Sequence, residues 1–330
     1  MRVVVAPDKL RGTATARDVA AAVARAAAAA GWSCDEVPMA DGGEGTLDAL
    51  GGANRATVVT GPLGEPVEAR WRLDGRTAVI EMAQASGLDL VGGAVHNDPI
   101  AASTAGTGEL ISAAIDAGAT RVIVGVGGSA STDGGLAALR ALHPLGRLKG
   151  VDLVVACDVR TGFLDAADVF APQKGATPAQ VELLRRRLER LAQVYEAEHG
   201  VDVTRLEGAG AAGGLAGGLA AAGADLVAGF DLIADELDLH ERIEGADLIV
   251  TAEGFLDAQS FEGKVVGGVA ALATAAAVPL VAIVGEVFDD VGDRIDAISL
   301  VHLFGEERAR ADTVACIEAA AASVFAEHAQ

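Results

Sequence analysis

Short apolar runs, each closed by a polar, mostly glycine-containing loop, recur along this chain and narrow what it can fold into. VVVAP runs into Asp8, RVIV into GVGGSASTDGG, and DLVVAC into Asp158, with ADLIVTAEG and PLVAIVGEV later in the chain. A continuous apolar run, unlike an alternating one, suits a strand of a parallel sheet covered on both faces. Alanine-rich segments of helical length lie between these runs. Thr15-Ala-Arg-Asp18 has capping-box spacing and opens one that stops at Gly31. Helices are also expected over GTGELISAAIDAG, over GGLAALRAL starting around Asp133, and over the Arg-rich stretch from about 177 to 199. ISLVHLF reads as a last strand. Over 55–83 the pattern changes: ATVVT, PVEARWRL and RTAVIEMA alternate and are separated by GPLGE and DG, the signature of a β-meander. The reading is therefore α/β with two domains: a Rossmann-like parallel-sheet domain from residues 1–55 plus 235–330, and a second α/β domain, 56–234, inserted into it. In open sheets of this kind the loops beyond the carboxyl ends of the strands converge on the ligand site.

Charge narrows the partners. With 47 acidic against 25 basic residues the net charge is −22, which argues against nucleic acid or an anionic membrane as partner. The three cysteines, Cys34, Cys157 and Cys316, lie far apart without a C-x-x-C. They read as reduced thiols of a cytoplasmic protein. The N-terminus lacks the apolar region of a signal peptide, and ALATAAAVPLVAIVG, broken by Pro279, is too short to span a membrane.

Lysine is scarce: there are four, Lys9, Lys149, Lys174 and Lys264, and three of them sit in the polar loops APDKLRG, APQKGA and FEGK. A compact ammonium there suits a phosphate oxygen. Gly125-Val-Gly127-Gly-Ser-Ala130 matches the dinucleotide fingerprint G-x-G-x-x-A, but the acid that should close the next strand is badly spaced: Asp152 opens that strand and Asp158 lies too far on. Phosphoryl transfer uses more of the residues, since that chemistry needs backbone amides and cations around phosphates, carboxylates for Mg²⁺, and an acceptor for a hydroxyl proton. The Walker pattern is absent. From spacing alone the reading stops at a magnesium-dependent enzyme acting on an anionic small molecule.

Taken together and in order, VAPDKLRGTATA, VPMADGGEGTLDAL, EMAQASGL, TAGTGELI, VGGSASTDGG, ACDV, VFAPQKGAT, GAGAAGGLAGGL and TAEGFLDAQSFEGK resemble the motifs of the bacterial glycerate kinase type 1 family. The resemblance implies a cleft between two α/β domains, ATP and Mg²⁺ as cofactors, and phosphorylation of D-glycerate, at the 2-hydroxyl. Carried over motif by motif, it implies Asp133, Asp158 and Lys264 as catalytic residues, with Asp133 the first choice as proton acceptor. It implies Asp8, Lys9, Arg11, Ser86, Asp257 and Gln259 around the substrate, and Gly127, Gly128, Ser129, Lys174, Gly210, Gly213, Gly214 and Glu253 around the nucleotide. Asp41 and Glu44 would hold the metal. The reading of Asp133 from its own position also allows a plain helix cap. The sequence departs from the family pattern at Thr132, Ala252 and Phe255, where asparagine, glycine and arginine are usual, at Arg160–Phe163 after ACDV, and in the shortened HPLGRLKGV. These departures leave open a kinase of another small hydroxy acid, or a weakened member that senses its ligand; a nicotinamide-dinucleotide oxidoreductase is the distant alternative. A monomer or a homodimer is compatible with the sequence. His96, beside Asn97-Asp98-Pro99, reads as part of a surface turn.

Overall fold

The structure is a computed structural model and describes residues 1–10, 12–261, 263–288, 291 and 294–328. It divides into two compact units, the first made of Met1–Asp41 with Gly229–Gln330 and the second of Gly42–Ala228. The changes expected near 55 and 235 fall inside these units. Arg55 opens a strand of the second, and Asp235 lies in the helix Gly229–Glu236 of the first.

Among the described residues the strands are, in chain order, β1 (Arg2–Val5), β2 (Ser33–Glu36), β3 (Arg55–Thr60), β4 (Pro66–Asp74), β5 (Thr77–Glu81), β6 (Arg121–Gly125), β7 (Asp152–Cys157), β8 (Asp225–Ala228), β9 (Leu248–Leu256), β10 (Leu280–Val287) and β11 (Asp296–Ser299). In the first unit they form a sheet in the order β11-β10-β9-β1-β2, every pair parallel. Val3, Val4 and Val5 are fully buried, as a run covered on both faces must be. Val3 and Val5 pack with the helices Ala16–Ala29 and Thr313–His328, where Trp32 meets Phe325 at 5.2 Å between ring centroids. The first of these helices starts on the expected capping box: Asp18 N donates to Thr15 Oγ1 at 3.1 Å and Thr15 N to Asp18 Oδ2 at 3.0 Å. The sheet order reverses between β1 and β9, which makes their carboxyl ends the switch point of the sheet.

In the second unit the order is β3-β4-β5-β6-β7-β8, antiparallel through the meander β3–β5 and parallel from β5 onward. Asp74, expected in the turn, is the last paired residue of β4, opposite Thr77, and Gly75 turns the chain with φ 55°. The long helix Pro178–His199 starts on a second capping box, Thr177 with Gln180.

Two sequence expectations are corrected here. ISLVHLF is strand only at Ile298–Ser299, after which Ser299 Oγ accepts from His302 N at 3.2 Å and a helix runs over Leu300–Phe304. The helix expected from about Asp133 starts at Leu136, because Gly134 and Gly135 both take positive φ, 66° and 78°.

Candidate active site

In the first unit three polar segments meet at the carboxyl ends of β1, β2 and β9. Asp8 N donates to Ala252 O at 2.9 Å and Met39 N to Pro7 O at 2.9 Å, which ties the chain after β1 to β9 on one side and to the segment leading to Asp41 on the other. Asp8 is buried and accepts from Lys9 N at 2.7 Å. Burial pushes its pKa up to about 7; the Lys9 charge opposes that shift, and Asp41 and Glu253 add to it. Glu253 is also raised, first by burial and then by Asp257 and Asp41, against the pull of Ser260 and Lys264. Its Oε2 is buried without a hydrogen-bond partner among the described residues. Lys264 Nζ stands 3.8 Å from Glu253 Oε1 and is the residue from which the helix Val265–Ala276 starts. Asp8, Asp41, Glu253, Asp257 and Lys264 are thus brought together, with half-buried Lys9 beside them. Asp257 Oδ1 accepts from Ser260 N at 3.0 Å and shapes the turn that leaves Gln259 exposed. Phe255, two residues beyond Glu253, is half-exposed and packs on Phe288 at 5.5 Å between centroids. Arg11 lies outside the described residues.

In the second unit the loop after β6 is held from several sides. A Cβ on Gly127 would stand 3.0 Å from the Cα of Gly43, so this position needs a glycine for the close approach of two backbones. Gly128 is exposed with φ 63°. Ser129 is buried, and its Oγ accepts from Lys174 Nζ at 2.7 Å; the same ammonium donates to Ser131 O at 2.5 Å. Lys174 is itself 3% exposed, and burial lowers its pKa to about 7. It braces the loop from within. Ser86 is likewise buried, its hydroxyl 2.8 Å from Thr107 Oγ1, and its carbonyl accepts from Ala130 N at 2.9 Å.

Asp133 is committed in the same way. Its carboxylate accepts from Thr104 N at 3.0 Å, Thr104 Oγ1 at 2.9 Å, Gly135 N at 3.0 Å and Ala137 N at 3.4 Å. Burial raises its pKa, and these bonds oppose the rise. One carboxylate thus caps the helix Leu136–Ala141 and ties it to the start of the helix Ala105–Asp116. This is the cap that its position in sequence allowed. The GAGAAGG segment is used for packing as well. Added Cβ atoms would stand 2.2 Å from Gly162 O at Gly210, 2.1 Å from Ser131 O at Gly213 and 2.9 Å from Gly134 Cα at Gly214. All three glycines are buried against protein backbone. Asp158 directly follows β7 and is half-buried. Glu44 acts on Glu81 within the second unit.

Three residues carry more than the sequence suggested. Glu81 Oε1 accepts from Gly45 N at 2.9 Å and Leu47 N at 2.8 Å, and burial raises its pKa. It anchors the acidic glycine loop; a glutamate ending an apolar strand in VIEMA was the available signal. Thr104, in TAGTGEL, completes the Asp133 cap. Asn97 Nδ2 donates to Ala130 O at 3.0 Å and to Lys174 O at 2.9 Å. The stretch beside exposed His96 is therefore a buttress of the β6 loop as well as a surface turn.

An α/β protein whose buried carboxylates and lysine gather at the switch point of a parallel sheet belongs to the class that positions small anions for chemistry. The family model of the glycerate kinase family matches residues 3–144 and 143–329. The chain is 40% identical to the glycerate 2-kinase of Escherichia coli K12, over 88% of this chain and 87% of that one. It is 41% identical to the glycerate kinase of Bacillus subtilis 168, over 88% and 86%. A crystal structure assigned to glycerate kinase 2 of Salmonella typhimurium LT2 superposes with a TM-score of 0.84 at 34% identity, covering 99% of this chain and 98% of that one. The chain belongs to the glycerate kinase family, phosphotransferases with an alcohol group as acceptor.

Proposed function

We propose that the protein phosphorylates D-glycerate at the 2-hydroxyl, with ATP as donor and Mg²⁺ as the metal. The observation that carries this reading is the gathering of Asp8, Asp41, Glu253 and Lys264 at the switch point of the first unit, in a chain related to a glycerate 2-kinase. Like-charged, partly desolvated carboxylates with one unpartnered oxygen fit a cation. Among the described residues no group of three or more His, Cys, Asp or Glu could hold a metal by itself. That pattern suits Mg²⁺, which takes one or two carboxylates and completes its shell with water and phosphate oxygens. Asp41 and Glu253 are the residues that would hold it.

When bound, Mg·ATP supplies the phosphoryl group and neutralises charge on its oxygens. Asp8 takes the proton of the substrate hydroxyl: a carboxylate whose pKa lies near 7 is an acceptor matched to neutral pH. Lys264, at the start of a twelve-residue helix, holds the substrate carboxylate, since cation and helix N-terminus both favour an anion there. In the second unit, exposed Gly128 is the backbone position best suited to a nucleotide phosphate. The dinucleotide alternative loses its support, because no helix starts at the G-x-G-x-x-A segment.

The test is ADP release by the purified protein with Mg·ATP and D-glycerate, beside L-glycerate and larger hydroxy acids, with phosphorus NMR on the product. Turnover on D-glycerate to the 2-phosphate supports the proposal. Turnover restricted to another acid moves the substrate, and ATP binding without ADP release with any acceptor favours a ligand sensor.

A further inference from the structure

A cavity of about 600 Å³ lies in the second unit. The volume falls within the range of roughly 300–1,000 Å³ typical of small-molecule sites. Its body is apolar, formed by Pro99, Ile100, Leu136, Leu188, Leu191 and Val194. Arg140, Arg186, Arg187 and Arg190 also line it. In a protein of net charge −22, four arginines around one cavity are a local reversal of sign.

Their charge is largely uncompensated. Arg186 pairs with Glu182, but Arg187 donates to the carbonyl of Ile100 and Arg190 to the amide oxygen of Gln193. Arg140 is exposed, and the group it acts on electrostatically is the neutral Tyr195 phenol. The carboxylate in the lining, Asp133, is occupied by Thr104, Gly135 and Ala137 and offers nothing to these arginines. Thr132 also lines the cavity, with its hydroxyl buried behind the wall.

We propose that this cavity binds a small amphiphilic anion, an apolar ring system or short chain carrying one carboxylate, sulfonate or phosphate group. The apolar body packs on Leu136, Leu188 and Val194, and the anionic group pairs with Arg140 and Arg190 at the rim. Since Asp133 and Thr132 belong both to the wall and to the loop after β6, occupancy would bias that loop. The proposal stands apart from the identity of the phosphorylated acid.

The probe is 8-anilinonaphthalene-1-sulfonate, followed by its fluorescence and by calorimetry on the intact protein, with the neutral N-phenyl-1-naphthylamine as the matched control. Saturable one-to-one binding of the sulfonate is expected, about tenfold tighter than the neutral amine. Arg140→Glu and Arg190→Glu, both at exposed side chains that a charge reversal leaves folded, should each weaken the sulfonate about tenfold and leave the amine unchanged. Equal binding of the two dyes, sulfonate binding indifferent to both arginine variants, or no saturable binding would overturn the proposal. So would a dimer in solution that Arg140→Glu dissociates, which would make the cavity wall a surface between copies of the chain.

Discussion

Lys174 Nζ lies 2.7 Å from Ser129 Oγ, so the ammonium of a nearly inaccessible lysine holds the loop that follows β6. Burial lowers its pKa from 10.5 to about 7, which means that between those values the unfolded chain binds a proton that the folded one does not. Stability therefore rises as pH increases from about 7 towards 10.5. Lys174→Met removes that contribution. Thermal unfolding followed from pH 6.5 to 10 should show the wild type gaining on the variant as pH rises. The same variant should raise the KM for ATP more than it lowers kcat, because the loop loses its brace while the groups at the Asp8 cluster stay in place. A flat difference in Tm across this range would show that the lysine is not buried as described.

Asp133 is expected to act in stability. Asp133→Asn puts amide hydrogens either against the N–H of Gly135 or against those of Thr104 and Ala137, and should lower the unfolding free energy by about 2–4 kcal/mol in urea titrations. Thr104→Val, which removes the hydroxyl shared between Asp133 and Ala138 N, should reproduce about half of that loss. A drop of about a thousandfold in kcat with an unchanged urea midpoint would return the role of proton acceptor to Asp133.

Asp8 gives the opposite signature. Its folded pKa is raised from 3.8 to about 7, so the stability it contributes is full below pH 3.8 and is lost as pH rises through 7. Asp8→Asn, isosteric and uncharged, should unfold at a higher temperature than the wild type at pH 8, by the equivalent of at most about 4 kcal/mol, and the gap should close at pH 4. In the same variant kcat should fall by about a hundredfold or more. In the wild type kcat/KM should rise with pH through an ionisation of the free enzyme near 7, as the carboxylate becomes able to take the hydroxyl proton. Full activity of the variant would remove Asp8 from the chemistry.

These residues also mark how far the sequence could be read. The apolar runs, the meander and the capping box at Thr15 follow local rules, since Thr15 needs only Asp18 three residues away. The Asp8 group could be anticipated because a parallel sheet brings strand ends together whatever their separation in sequence: Asp8 and Glu253 became neighbours through the pairing of β1 with β9. What a loop does with its polar groups was not legible in the same way. Asp133, Lys174 and Ser129 have the composition of a ligand loop, but Thr104, from a loop 29 residues away, occupies the carboxylate, and the lysine points into protein. Burial decides between bracing and binding, and burial depends on packing that no local pattern encodes. The glycines of GAGAAGG show the same ambiguity: a backbone approaching a phosphate and a backbone approaching another backbone require the same residue.

That ambiguity can be tested at Gly213. Its φ is 69°, and a methyl group there would lie 2.1 Å from the carbonyl oxygen of Ser131, an atom of the loop after β6. Gly213→Ala combines the left-handed conformation with an overlap against backbone that no rotamer change relieves, and should destabilise the protein by about 2–5 kcal/mol. Gly146→Ala, where nothing lies within 4 Å of the added methyl and φ is not positive, serves as the control and should change stability by less than about 1 kcal/mol. A nucleotide-binding role for Gly213 predicts a different outcome, an unaltered unfolding midpoint with weakened ATP binding. Unfolding in urea and calorimetric titration of ATP, carried out on both variants, separate the two.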